Sequence, residues 1–245
     1  MDERLKQIAE NFDNMKIGID DTFSVSCNQC GKCCINREDI LLSPFDLYRM
    51  SKKLNMTPNE FVAQYGEAYI GDSSRMVIVR LRPHGSIKRC PLLRDRKCSV
   101  HDAKPTVCAM YPIGRALRMD AKNPNADTMT TENIEYIFNG AHCGNAETHT
   151  VREWFNSFGI PIDDEFFIEW QKTITELHNI IVIAENNFKM ETTMETIWSV
   201  IYAALYMKYD INEDFMPQFL SNRKELFRIL RMIPEFYSRR KNHVG

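Results

Sequence analysis

The stretch Cys27-Asn28-Gln29-Cys30-Gly31-Lys32-Cys33-Cys34 carries four of the chain's eight cysteines. A C-x2-C spacing lets two sulfurs face one ion across a short loop, and thiolates ligate both zinc and iron-sulfur clusters. Cys27, Cys30 and Cys33 make two such steps in series. This is the opening of the bacterial ferredoxin pattern, in which one loop holds three irons of a [4Fe-4S] cluster and a remote cysteine holds the fourth. Cys90, Cys98, Cys108 or Cys143 could supply that last ligand, and all eight thiols would suffice for two all-thiolate centres. Successive side chains usually point in different directions. One of Cys33 and Cys34 is therefore expected to face a second centre or to stay a free thiol. Unrelated buried thiols would not crowd around Gly31, whose missing Cβ lets the backbone turn tightly about a ligand. His101 and His142 stand beside the later cysteines as candidates for mixed ligation, whereas His84, His149, His178 and His243 read as structural or surface residues.

Little else in the chain points to chemistry. No Ser/His/Asp set, paired-carboxylate site, P-loop or G-x-G-x-x-G turn stands out. A formal net charge of -2 gives no bulk attraction to nucleic acid or to an anionic membrane. Arg89, Arg94, Arg96 and Lys97 lie among the candidate ligands, where they could balance thiolate charge or attract an anionic substrate; Arg239-Arg240-Lys241 reads as a solvated tail. The most apolar piece, Ile197 to Met207, is too short to span a bilayer. The charged start, Met1 to Glu10, has no apolar run with a cleavage site, so a cytoplasmic protein is expected, and in a reducing compartment closely spaced cysteines favour metal or redox chemistry over disulfides.

The elements that must position these thiols are legible from periodicity and caps. Leu5, Ile8, Phe12 and Met15 give an amphipathic helix over residues 3–15. Ile40-Leu41-Leu42 suggests a short strand; Ser43-Pro44 and Thr57-Pro58 then start two helices, the second with a capping box to Glu60. Met76 to Leu81 is a β-branched strand, expected to pair with a segment leading into Cys90. Pro105 opens a short helix carrying Cys108, which Pro112 ends. Ile113 to Met119 and Ile134 to Phe138 read as two further strands. From Thr150 the period is helical: a capped helix, a long one started by Asp163-Asp164, one over residues 193–208, and one over 212–232 with a break expected at Pro217. The fold class is thus α+β, with a cysteine-rich metal-binding part at 1–149 and a helical bundle at 150–245 packed on it.

The cysteine run, with Cys90-Pro91-Leu92, Cys98-Ser99-Val100-His101 and Lys104-Pro105-Thr106-Val107-Cys108-Ala109-Met110-Tyr111-Pro112, resembles the YkgJ-type CxxCxxCC cysteine-cluster family of zinc- or iron-chelating domains over about residues 20–145. The resemblance implies that Cys27, Cys30, Cys33, Cys34, Cys90, Cys98, Cys108 and Cys143 form the metal-binding set. It departs from the family at Lys104, where arginine is common. The cysteine region is also similar to that of flagellin lysine N-methylases.

Three functions follow as expectations. The first is an iron-sulfur protein, expected to hold one or two clusters, [4Fe-4S] in form, for redox chemistry or for activating a cosubstrate. The second is a structural zinc module whose helical part binds a partner. The third is a protein lysine methyltransferase using S-adenosylmethionine. The partner is then a protein or a small-molecule substrate, with no nucleic acid and no membrane.

Overall fold

The computed structural model describes residues 10–118, 126–140, 144–187 and 191–241. In chain order the elements are β1 (Thr22–Ser26), α1 (Pro44–Leu54), α2 (Pro58–Tyr65), β2 (Gly66–Ile70), β3 (Val77–Leu81), β4 (Leu93–Arg94), β5 (Lys97–Cys98), α3 (Thr106–Met110), β6 (Ile113–Leu117), β7 (Ile134–Phe138), β8 (Gly144–Thr150), α4 (Val151–Ser157), α5 (Glu165–Asn187), α6 (Glu191–Tyr202) and α7 (Phe215–Lys241). The fold is α+β, with small antiparallel sheets before a helical C-terminal region. By compactness the chain divides into one unit of Met1–Ile40 with Pro83–Lys172 and another of Leu41–Arg82 with Thr173–Gly245. Where the sequence reading places a single boundary at 149/150, compactness groups four separate stretches.

Helix starts follow the local chemistry. The Ser43, Thr57 and Thr150 side chains each accept a hydrogen bond from the backbone N–H three residues on, and Asp46, Glu60 and Glu153 reach back to the cap N–H. Each box satisfies donors that a helix terminus otherwise leaves open. Asp164 caps α5 by accepting from the Phe167 N–H at 2.9 Å. The break expected at Pro217 is not there. Pro217 lies in the first turn of α7, where its missing N–H costs no helical bond.

In the first unit β1 pairs with β8, β6 with β7, and β4 with β5. Phe23 and Val25 of β1 face a core containing Met110, Ile113, Tyr136, Trp154 and Phe155, so the strand that leads into Cys27 is anchored by its inward residues. Of the N-terminal helix, residues 10–15 are helical and the rest lies outside the described residues. Arg115 pairs with Asp164 at 2.7 Å, both side chains being about nine-tenths buried, and stacks on Phe167 at 3.7 Å.

In the second unit β3 pairs with β2, not with a segment leading into Cys90. The latter segment instead folds on itself through the His84–Arg89 bridge. The expected strand at residues 40–42 is reduced to a bridge between Leu41 and Arg80 and a bond from the Leu42 N–H to the Val79 carbonyl at 2.8 Å. Leu47, Met50 and Phe61 are fully buried, as are Leu177, Ile201, Phe219 and Leu226 of the helical region. The third C-terminal helix ends in a π-helical turn, Ala203–Met207. Among the described residues no helix is long and apolar enough to cross a membrane.

Candidate metal centre

The cysteine run turns on Gly31. Its φ of 74° is in the left-handed region, which glycine enters without the Cβ penalty that other residues meet. A Cβ there would stand 3.2 Å from the Arg96 carbonyl oxygen and 3.2 Å from Leu93 Cδ1, so the loop lies directly against the β4–β5 hairpin. Gly31→Ala is expected to destabilise the fold by about 1–2 kcal/mol, the usual left-handed penalty, and to weaken metal retention. Chemical denaturation with metal analysis of the same samples checks both; an unchanged unfolding midpoint would contradict this placement. After Gly31 the residues Lys32–Cys34 form a 3-10 turn.

The remote thiols are brought to that turn by backbone bonds. The Cys90 N–H donates to the Cys34 carbonyl at 2.8 Å, and Asn36 and Arg37 donate to the Ile87 and Lys88 carbonyls at 2.9 and 3.3 Å. Cys98 is the β5 partner of Leu93. Cys108 sits in α3, its N–H bonded to the Pro105 carbonyl at 2.8 Å. A strand, a tight hairpin and one helical turn thus gather cysteines far apart in sequence.

The Cys34 thiol neighbours both the Cys33 and the Cys90 thiols. Cys33 and Cys34 are successive residues of the 3-10 turn, and their thiols interact. Cys33 is exposed as a residue, although its thiol is engaged. The bond to Cys34, burial and the neighbouring Cys34 charge all hold Cys33 above the ordinary thiol range. The bond to Cys33 lowers Cys34, but the bond to Cys90 and its burial push it up to about 12. Cys90 is lowered by its bond to Cys34 and, against burial, by one from the Leu92 N–H. Burial raises Cys98, opposed by a bond from the Val100 N–H, and burial raises Cys108, opposed by Arg37.

In chemical type this donor set suits a thiolate-bound metal, and the thiols of Cys33, Cys34, Cys90, Cys98 and Cys108 influence one another's ionisation. Without a cation their mutual repulsion and burial oppose ionisation; a bound metal would reverse both effects. The N–H donors from Leu92 and Val100 are of most use to sulfurs that carry negative charge. Among the described residues no three Cys, His, Asp or Glu side chains stand close enough together to hold a metal ion, so the fold assembles a neighbourhood of thiols, not a closed coordination shell.

The remaining sequence candidates divide. Cys30 is half-buried on the loop. Cys143 and His142 lie outside the described residues. The His101 ring packs against Phe158 at 5.9 Å, and its pKa is lowered by burial and by Lys104. Arg94, Arg96 and Lys97 are exposed on the hairpin, with Asp95 and Arg96 at positive φ. The side chains of Arg239, Arg240 and Lys241 lie outside the description. Spacing did not single out Arg37, a charged neighbour of Cys33 and Cys108 that pairs with Asp39 at 2.6 Å, nor the burial of Lys104. The only signal for either was a place within one helical turn's spacing of a cysteine.

Backbone bonds and a hairpin bring cysteines from separate stretches toward the turn at Lys32–Cys34. Residues 26–136 match the family model CxxCxxCC, described as a putative zinc- or iron-chelating domain. The match contains all the candidate ligands except His142 and Cys143. Searches of curated proteins and of solved structures found no match.

Proposed function

We propose that this is a metal-binding protein whose thiols hold an iron-sulfur cluster, [4Fe-4S] in its expected form, for redox chemistry or for activation of a cosubstrate. The observation that carries the reading is the match to a zinc- or iron-chelating domain, together with the backbone bond that ties Cys90 to Cys34 at 2.8 Å and the hairpin that carries Cys98. Cys27-x2-Cys30-x2-Cys33 with a remote cysteine is the spacing by which a loop holds a [4Fe-4S] cluster. Cys33, Cys34, Cys90, Cys98 and Cys108 would hold the metal, with Cys27 and Cys30 on the same loop as further thiolates. A cluster so bound supplies one-electron chemistry at a potential set by hydrogen bonds to sulfur and by nearby charge. The chain's own contribution is visible in the Leu92 and Val100 N–H donors and in the cations Arg37 and Lys104.

The test is iron, zinc and acid-labile sulfide analysis, with an absorption spectrum, on protein purified without oxygen and without a metal-affinity tag. Iron with equivalent sulfide and broad visible absorption is the expected result. Zinc without sulfide or colour would overturn the cluster and make the thiols a structural module.

A further inference from the structure

Charge is divided unevenly along the chain. Residues 83–108 hold six Lys and Arg against Asp95 and Asp102, so in a chain of net charge -2 this stretch carries +4 and the remainder -6. The fold of the first unit gathers most of these cations on one surface. The turn over residues 84–89 is closed by paired backbone bonds between His84 and Arg89 at 2.8 and 2.9 Å, and the β4–β5 hairpin turns at Asp95 and Arg96, both at positive φ. Both lean on the same loop. Asn36 and Arg37 donate to the carbonyls of Ile87 and Lys88 at 2.9 and 3.3 Å, and a Cβ on Gly31 would stand 3.2 Å from the Arg96 carbonyl oxygen. Lys32, Lys88, Arg89, Arg96 and Lys97 are exposed on these three adjoining segments. Lys88 pairs with Glu38 at 2.8 Å; among the described residues no carboxylate pairs with the other four. Ile35 and Ile87 of the same segments are 37% and 52% exposed, and the Asn36–Ile87 bond brings their stretches of chain together.

We propose that this surface, formed by the 84–89 turn and the β4–β5 hairpin about the Lys32–Cys34 turn, docks an acidic patch of a partner protein. Exposed charges act over a Debye length of about 8–10 Å. A compact acidic patch therefore meets the cationic stretch alone, whereas a nucleic acid strand or an anionic bilayer extends past it to the acidic remainder. Residues 31–37 and 84–98 contain no Phe, Tyr or Trp on which unpaired bases would stack. Two exposed isoleucines among cations match instead the apolar centre and polar rim of a protein interface, and the cations would steer the encounter. Docking of this kind is independent of what the thiols hold.

The probe is a fluorescent peptide of glutamates interspersed with leucines, titrated with the reduced full chain and read by anisotropy. It is applied to wild type, R89E/K97E, I87S and K224E, the last changing a lysine exposed on α7. Wild type is expected to bind, and its affinity to fall about tenfold or more between low and physiological salt. R89E/K97E is expected to bind about tenfold more weakly, the scale of losing two exposed ion pairs and gaining two repulsions. I87S is expected to lose about threefold with this peptide and nothing with an all-glutamate one, while K224E stays within about twofold of wild type. No binding at low salt, a salt-independent affinity, full binding by R89E/K97E, or equal losses in R89E/K97E and K224E would overturn the docking site. An I87S variant equal to wild type on both peptides would overturn its apolar centre and with it the protein interface. R89Q/K97Q replaces the charge reversal if that variant does not fold; failure of both to fold would assign these cations to fold stability and overturn the proposal. Tighter binding of a single-stranded oligonucleotide of equal charge, or of phosphatidylserine vesicles, would overturn the protein partner. Salt-sensitive self-association of wild type that R89E/K97E abolishes would assign the surface to a second copy of the chain and likewise overturn it.

Discussion

Cys34→Ser is expected to empty the metal centre, lowering affinity by more than about a hundredfold, since changes to groups merely surrounding ligands already cost about 10- to 100-fold. The Cys34 thiol neighbours those of Cys33 and Cys90, and its carbonyl receives the Cys90 N–H. Serine keeps the backbone bond and nearly the same volume, but an alkoxyl oxygen is a hard ligand where zinc and iron-sulfur centres take soft sulfur. The variant therefore separates ligation from packing. Metal content per chain falls below about a tenth of wild type, while far-ultraviolet circular dichroism of the metal-free proteins stays superimposable. Full metal content in the variant would remove Cys34 from the centre and reopen the role of a free thiol for it.

Phe155→Ala should cost about 3–5 kcal/mol of folding stability. Phe155 is fully buried, meets Tyr136 edge-on at 5.2 Å, and shares its core with Phe23 and Val25 of the strand that delivers Cys27. Truncation removes the apolar contacts and leaves a cavity that rigid neighbours fill only in part. Against a total stability of about 5–15 kcal/mol this is a large fraction, and the midpoint of denaturant unfolding should drop accordingly. Leu220→Ala, at a position 44% exposed, should change stability by no more than about 0.5 kcal/mol. Equal effects of the two would contradict the core described above.

What the sequence disclosed was local. Ser43 with Asp46, Thr57 with Glu60 and Thr150 with Glu153 are capping boxes spanning one turn, and each starts the helix expected of it. Pro217 misled because proline breaks a helix only in its interior, and α7 begins two residues before it. Strand partners were hidden because pairing is non-local: β1 and β8 join ends of the first unit far apart in sequence, and β8 carries the polar run Asn145, Glu147 and Thr148, which gives no alternating apolar signal. The cysteines stood out as candidate ligands from type and spacing, whereas the 3-10 turn that carries Cys33 and Cys34 is not specified by spacing. Lys104 was visible only as a surface-type residue beside a proline, and its burial is set by Phe158, distant in sequence.

The path of the chain between Cys34 and Cys90 has a further effect. Those residues are tied to one another by a backbone bond at 2.8 Å, and the whole of Leu41–Arg82, the first stretch of the second unit, lies between them. A metal held by both cysteines would be released on unfolding, so its binding free energy would add to the stability of the state in which the two ends of this excursion, which carries α1, α2 and the β2–β3 hairpin and no cysteine, are held together.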